Sequence, residues 1–121
     1  MDQERRHFTR VSFQRDAYLE WHGGSATVAV RDLSLNGALL SLPPDWDGSD
    51  REIYHLTIPL ADDISIHMQL TLAHHRGRVA GFHCHRLDLD SMSHLRRLVE
   101  LNMQDPSLLR RQLADLIHET P

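Results

Sequence analysis

The chain contains no lysine: all 13 of its basic side chains are arginine. Codon bias accounts for such usage without any function. Even so, each arginine carries a planar fork able to hold a phosphate or a guanine edge through two bonds. Cysteine is almost missing. Cys84 stands alone, so no intramolecular disulfide can form, and a reducing cytoplasm is the expected compartment. No apolar run approaches the roughly 20 residues that span a bilayer. The start, Met1-Asp2-Gln3-Glu4-Arg5-Arg6, has no apolar run behind it and does not read as a secretory signal. A positive balance is absent too. The net charge of −4 argues against a general nucleic-acid binder, which would carry a basic surface. No His-Glu-x-x-His spacing occurs, and no Ser-His-Asp or Cys-His arrangement can be defended. What remains is 121 residues, 40% hydrophobic and 25% charged, enough for one domain with a real core.

Residues 1–10 are polar and charged, and they read as an exposed arm. Val11, Phe13, Ala17, Leu19 and Trp21 recur at even spacing, which predicts a strand with one buried face over 11–21. Arg15 interrupts this pattern and marks a bulge or the true strand start. His22-Gly23-Gly24-Ser25 signals a turn. A second strand is expected over Ala26–Val30, then a polar corner, then a strand over Ala38–Leu42. Pro43 to Asp50 form a long loop, excluded from a sheet interior by its two prolines. Trp46 within it is expected to fold back as a lid on the core. Ile53–Leu60 reads as a strand ending at Pro59. Ile64, Ile66, Met68, Leu70 and Leu72 then alternate with polar residues as a half-buried strand. His75-Arg76-Gly77-Arg78 turns the chain back into a strand over Val79–Leu87, with Phe82 and Cys84 inward.

Six strand-like segments joined by short turns, with no helices between them, predict a mainly β fold: an antiparallel barrel or sandwich. The barrel is favoured because closure removes exposed edges. Two helices are expected to follow. One is capped by Asp90 and carries the stripe Met92, Leu95, Val99 and Met103. The other starts at Asp105-Pro106 and carries Leu109, Leu113, Leu116 and Ile117. Both stripes are expected to pack on the barrel, with a dimer contact through the last helix as the other use.

Ten histidines are many for this length. A turn at Arg76-Gly77 would set His83 opposite Thr71 and His85 opposite Gln69 on the solvent face, with His67 near. Such a group could take up zinc or copper adventitiously. A catalytic zinc site needs three placed ligands and supporting carboxylates, which this pattern lacks.

Two short motifs carry the functional signal. Arg31 to Leu40 contains Asp32-x-Ser34-x-x-Gly37 between two apolar runs. Asp32 and Ser34 bond nearby backbone readily, and Gly37 suits a positive φ or a close backbone approach. Taken alone, this is equally a turn that closes a hairpin. Upstream, Arg6 and Arg10 form Arg-x-x-x-Arg, and Asp32 follows Arg10 by 22 positions with one strand between. The pair of motifs, in this order and at this spacing, resembles the PilZ domain, a family of bacterial receptors for cyclic di-GMP. Leu87-Asp88-Leu89-Asp90 running into Ser93 to Leu101 also resembles the end of its small single-domain members.

The resemblance implies one PilZ-like domain over 1–121. An arginine-bearing arm would occupy 1–10, a six-stranded antiparallel β-barrel 11–87, and C-terminal α-helices packed on the barrel 90–119. It implies a non-enzymatic cytoplasmic receptor with cyclic di-GMP as ligand, no cofactor and no metal. No nucleic acid or membrane is expected as partner, and the state is a monomer or weak dimer. Arg6 and Arg10, with Arg5 supplementary, would grip the phosphates or a guanine edge. Asp32 would accept from the guanine N1–H and N2–H₂, Ser34 would assist or hold the corner, and Gly37 would let the backbone pass close to a base. His74, read as inward at the barrel mouth, stands where some relatives place a larger aromatic that could stack on a base. His7 follows Arg5-Arg6 where some arms carry a third arginine. The chain contains no output domain, so its signal is expected to pass through an unidentified downstream protein as the arm, mobile without ligand, becomes ordered. The alternative is a PilZ-like protein-interaction module with weak or no nucleotide binding.

Overall fold

The computed structural model describes residues 11–46, 51–61 and 63–104, with side chains described over 15–46, 51–61 and 63–100. The arginines of the expected arm, Arg5, Arg6 and Arg10, lie outside the described residues, as does the helix expected after Asp105.

Alternation in the sequence becomes a closed sheet. Six strands run β1 (Val11–Trp21), β2 (Gly24–Ser34), β3 (Gly37–Ser41), β4 (Tyr54–Ala61), β5 (Ile64–Arg76) and β6 (Val79–Leu87). They pair antiparallel in the closed order β1-β2-β3-β6-β5-β4. One helix, α1 (Leu89–Gln104), follows. Inward residues of every strand meet in one core: Leu19, Val30, Leu40, Ile58 and Leu70 are fully buried. Each such aliphatic side chain contributes roughly 1.5–3 kcal/mol by leaving water. Leu95 and Leu98 of α1 join this core, and the helix packs chiefly on β5.

Tyr54 is buried at the centre of an aromatic cluster. Trp21, Trp46 and Phe82 lie 5.5, 6.1 and 5.3 Å from it between ring centroids. Trp46 therefore does cover the core, as its loop position predicts. Its indole N–H is buried with no hydrogen-bond partner among the described residues, so ring packing holds it there.

The bulge expected at Arg15 is present: the β1–β2 register shifts between Ser12 and Arg15. Its guanidinium has a structural task. The β1–β4 ladder pairs only Tyr18 to Glu20 with Thr57 to His55. Beyond it, Arg15 Nε donates to the Pro59 carbonyl at 2.6 Å and Nη2 to the Leu60 carbonyl at 3.1 Å. These bonds occupy carbonyls that a longer β1–β4 ladder would have paired. Burial lowers the guanidinium from its ordinary pKa, and the two carbonyls accept from its N–H groups.

Several expected boundaries move. β4 continues past Pro59 to Ala61, because the missing proline N–H falls where β1 no longer pairs. The last hairpin turn is shorter than His75 to Arg78: Arg76 pairs with Val79, and Gly77 takes the left-handed φ of 61°. The cap of α1 is Asp88, one residue before the helix, and not Asp90. The Ser91 hydroxyl bonds to its carboxylate, which holds that carboxyl below its ordinary range. Ser91 is buried, and its Oγ also accepts from the His67 N–H at 2.8 Å, tying the helix start to β5.

Candidate functional site

The corner expected at Asp32 to Gly37 is mostly strand. β2 pairs with β3 through Asp32–Leu39, Leu33–Ala38 and Ser34–Gly37, so only Leu35 and Asn36 turn. Short polar side chains imitate a turn in the sequence, but sheet pairing takes them up here. Ser34 Oγ accepts from the Asn36 N–H at 3.2 Å and so holds that turn. The Asn36 carbonyl accepts from the Cys84 N–H at 2.7 Å, which docks the turn on β6.

Gly37 has its close neighbour within the sheet. A Cβ there would overlap the Phe82 carbonyl oxygen and lie 3.1 Å from its carbon, so β3 can approach β6 only with glycine at this position. Its φ is not positive; among described glycines only Gly77 has that.

Three bulges decide which side chains reach the outer face. Val30 pairs with Leu40, but Asp32 pairs with Leu39, leaving Arg31 as an extra residue on β2. Strict alternation from inward Val30 would have turned Asp32 into the core. The bulge instead leaves Arg31 exposed and Asp32 half-buried on the outside. On β5 the register shifts between Leu72 and His74. That shift overturns the inward reading of His74. The residue pairs with Gly81 and is exposed, while His75 takes the inward parity opposite buried Ala80 and meets Trp46 at 5.1 Å, ring edge to face. Gly81 makes room for His74, because a Cβ on Gly81 would overlap the imidazole. On β6, His85 is the extra residue. Gln69 therefore pairs with Arg86, whereas His83 does pair with Thr71 as expected.

The pairings place the predicted residues in two adjacent rows on one outer face. Asp32, Leu39, Gly81 and His74 form one row across β2, β3, β6 and β5. Ser34, Gly37, His83 and Thr71 form the next. With strands about 4.8 Å apart, Asp32 and His74 stand roughly 14 Å from each other along the sheet. Asp32 is the only acidic residue on these four strands, which also carry Arg31, Arg76 and Arg86. Among the described residues its carboxylate has no hydrogen-bond or ion-pair partner. At the near edge, Ser12 of β1 pairs with Asp32 and Val11 with Leu33.

No cluster of three or more histidine, cysteine or acidic residues able to hold a metal forms among the described residues. His85 and His67 meet the hydroxyls of Thr71 and Thr57 respectively. Cys84 takes the inward parity, but it is half-buried, and burial pushes its thiol pKa up, away from the reactive thiolate.

A family model of the PilZ domain matches residues 4–101 of this sequence. The chain belongs to the PilZ family. Its barrel is also similar to the crystal structure of the PilZ domain of CeSA from a cellulose-synthesizing bacterium, at a TM-score of 0.59 and 16% sequence identity. That match covers 74% of this chain and 93% of the other, and at such identity it shows a shared fold. PilZ domains are in general modules that bind cyclic di-GMP and regulate, and they are not typically enzymes. No helix among the described residues is long and apolar enough to cross a membrane. Within this PilZ domain, the bulges at Arg31, Ala73 and His85 are what sequence reasoning missed, since none leaves a local signal in composition.

Proposed function

We propose that this PilZ domain binds cyclic di-GMP on the outer face of β2, β3, β6 and β5, as a cytoplasmic receptor acting on a downstream protein. The observation that carries the reading is Asp32: an outward carboxylate without a partner among the described residues, on strands otherwise basic. A carboxylate there accepts the guanine N1–H and N2–H₂, and His74 offers a ring over Gly81 for a base to stack on. Arg10 is bonded directly to Val11, one Cα step of about 3.8 Å from a residue paired to Leu33. The reading gives the phosphates to its guanidinium together with those of Arg6 and Arg5. Ser34 and Gly37 serve by holding the turn and the close β3–β6 approach beside it. Ordering of the arm over the nucleotide would create the surface that a partner reads, since a ligand shifts an equilibrium only by its differential contacts.

Calorimetric titration with cyclic di-GMP tests this reading. Binding by the native chain, weakened in Arg10→Ala by the roughly 1.5–3 kcal/mol of a charge-assisted hydrogen bond, is the expected result. Equal affinity in the variant would remove the arm from the site. One observation favours the alternative, a protein-interaction module. Ser34 and Gly37 each have a complete structural reason to be present, so two of the three fixed residues of the Asp-x-Ser-x-x-Gly motif would persist without a nucleotide. No binding at any concentration of cyclic di-GMP would decide for that alternative.

A further inference from the structure

We propose that Arg15 is a positioning residue for nucleotide binding: its clamp on β4 fixes the register in which β1 begins, and with it the face from which Arg10 departs. The inference rests on the cyclic di-GMP reading above and extends it to a residue outside both motifs. Three observations carry it. First, β1 loses a neighbour part-way. From Tyr18 to Glu20 it is laddered to both β2 and β4, but before Tyr18 only the β2 ladder continues. Second, that remaining ladder is interrupted. Arg15 pairs with Val30 and Ser12 with Asp32, so Phe13 and Gln14 stand against Arg31 alone. Two pairs, Ser12–Asp32 and Val11–Leu33, hold the start of the strand beyond this bulge. Third, Arg15, the last paired residue before the bulge, is pinned from its other side. Leu60 is the extra residue of a bulge on β4, where Pro59 pairs with Ser65 and Ala61 with Ile64. Consecutive carbonyls of an unbroken strand point opposite ways. Those of Pro59 and Leu60 instead both accept from Arg15, from Nε at 2.6 Å and Nη2 at 3.1 Å. Nε and Nη2 form one edge of the rigid guanidinium fork, so the pair of bonds fixes Arg15 along the strand as well as across it.

Register decides faces here. Side chains alternate with a period of two, so a slip of one residue carries everything upstream about 3.3 Å along the strand and exchanges its faces. A bulge of two residues against one has a residue to spare. With Arg15 released, the spare residue would be free to migrate into β1. Ser12 would then move past Asp32, and Arg10 would turn from one face of the sheet to the other. Arg15 cannot take that step while both bonds to β4 hold, because one residue of travel breaks them. Arg15 therefore acts on the nucleotide through Arg10 and the residues before it, without touching the ligand.

Two measurements on the full chain test this. Arg15→Met keeps the apolar stem and removes all five donors, about the mildest way to open the clamp. Arg15→Lys keeps the charge without the fork, and it serves for both measurements if Arg15→Met does not fold. The first measurement is made without ligand. Nuclear Overhauser contacts between Ser12 and Asp32 should be present in the native chain, and weakened or moved to a neighbouring partner in the variants. Unchanged contacts would overturn the inference. The second is a calorimetric cycle with cyclic di-GMP. Arg15→Met should weaken binding by roughly tenfold to a hundredfold, the worth of the arginine contact it misplaces. In the Arg10→Ala background the same change should cost markedly less, because the arginine it positions is gone. An equal cost in both backgrounds would make Arg15 a structural clamp with no hold on the arm, and would overturn the inference while leaving cyclic di-GMP binding intact. Failure of the native chain to bind would overturn the underlying reading and the binding role of Arg15 with it, and the Overhauser contacts would still decide whether Arg15 sets the register.

Discussion

On the outer side of β2, β3, β6 and β5, Asp32 stands alone among Arg31, Arg76, Arg86 and the exposed His74, His83 and His85. On the outer side of β1, the exposed residues are Asp16, Tyr18 and Glu20, and β1's only described arginine side chain, Arg15, turns into the β1–β4 seam. A shallow open depression lined by Tyr18, Glu20, Ser25, Ala26 and Thr27 lies on that second face, while the motif lies on the first. A chain of net charge −4 can still carry a basic face, because the described acids other than Asp32 lie on other elements.

The sharpest way to break the comparison is at the hairpin glycines, one under each face. Gly37→Ala puts a methyl into the Phe82 carbonyl, and backbone on both sides must part. We expect a loss of about 3 kcal/mol or more in chemical denaturation, with most of the protein insoluble. At Gly24 the added Cβ meets only the Trp21 ring, at 3.3 Å, and a side chain can give way. Gly24→Ala should stay within about 1 kcal/mol of the native chain. Equal tolerance at both positions would mean that the β3–β6 approach is not what Gly37 provides.

A smaller effect separates ligand chemistry from fold. Asp32→Asn keeps the side-chain shape and loses the anionic acceptor. Its stability should match the native chain within about 0.5 kcal/mol, because no partner among the described residues is lost. Binding of cyclic di-GMP should weaken by roughly 1.5–3 kcal/mol, with less preference over cyclic di-AMP. Asp16→Asn, the same change on the opposite face, should alter neither. Loss of affinity in both variants alike would show a general electrostatic response instead of a site.

Burial within the barrel is largely legible in the order of the residues. Alternation at Ile64 to Leu72 marks β5, and the even spacing of Ala17, Leu19 and Trp21 marks β1, because sheet burial has a period of two and leaves its record in the sequence. Parity across a bulge leaves none. Counting by twos from Leu72 sends His74 inward, and the extra residue at Ala73 sends it out. The same device at Arg31 is what turns Asp32 toward solvent. Nothing about arginine or alanine announces a bulge, which inserts one unpaired residue without a composition of its own. The cap of α1 is misread for a different reason. Asp88 and Asp90 are both competent caps, and only the position of Ser91, fixed by its bond to the His67 N–H, selects the first.

That cap supplies the smallest effect, and it sits where the two faces meet. His67 faces out on β5 opposite Thr57 of β4, and α1 is fastened there through Ser91. The Ser91 hydroxyl bond, and to a lesser degree the charge of His67, hold the Asp88 carboxyl below its ordinary pKa. A carboxyl depressed in the folded state stabilises it above its unfolded value, about 3.9 for aspartate, and the contribution disappears as pH falls through the lower folded value. Asp88→Ala should therefore lose about 1 kcal/mol at neutral pH, the usual worth of a helix cap. Asp88→Asn, which keeps a capping oxygen, should lose less. The gap between the native chain and Asp88→Asn should close as pH is lowered from about 5 through the carboxylate range, because only the charge distinguishes them. Thermal melts across that range measure it. Affinity for cyclic di-GMP should be unchanged in both variants at neutral pH, since Asp88 lies outside the rows that carry Asp32 and His74. A variant that loses affinity without losing stability would place the end of β6 and the start of α1 inside the nucleotide site, and would extend the basic face around the barrel to the helix.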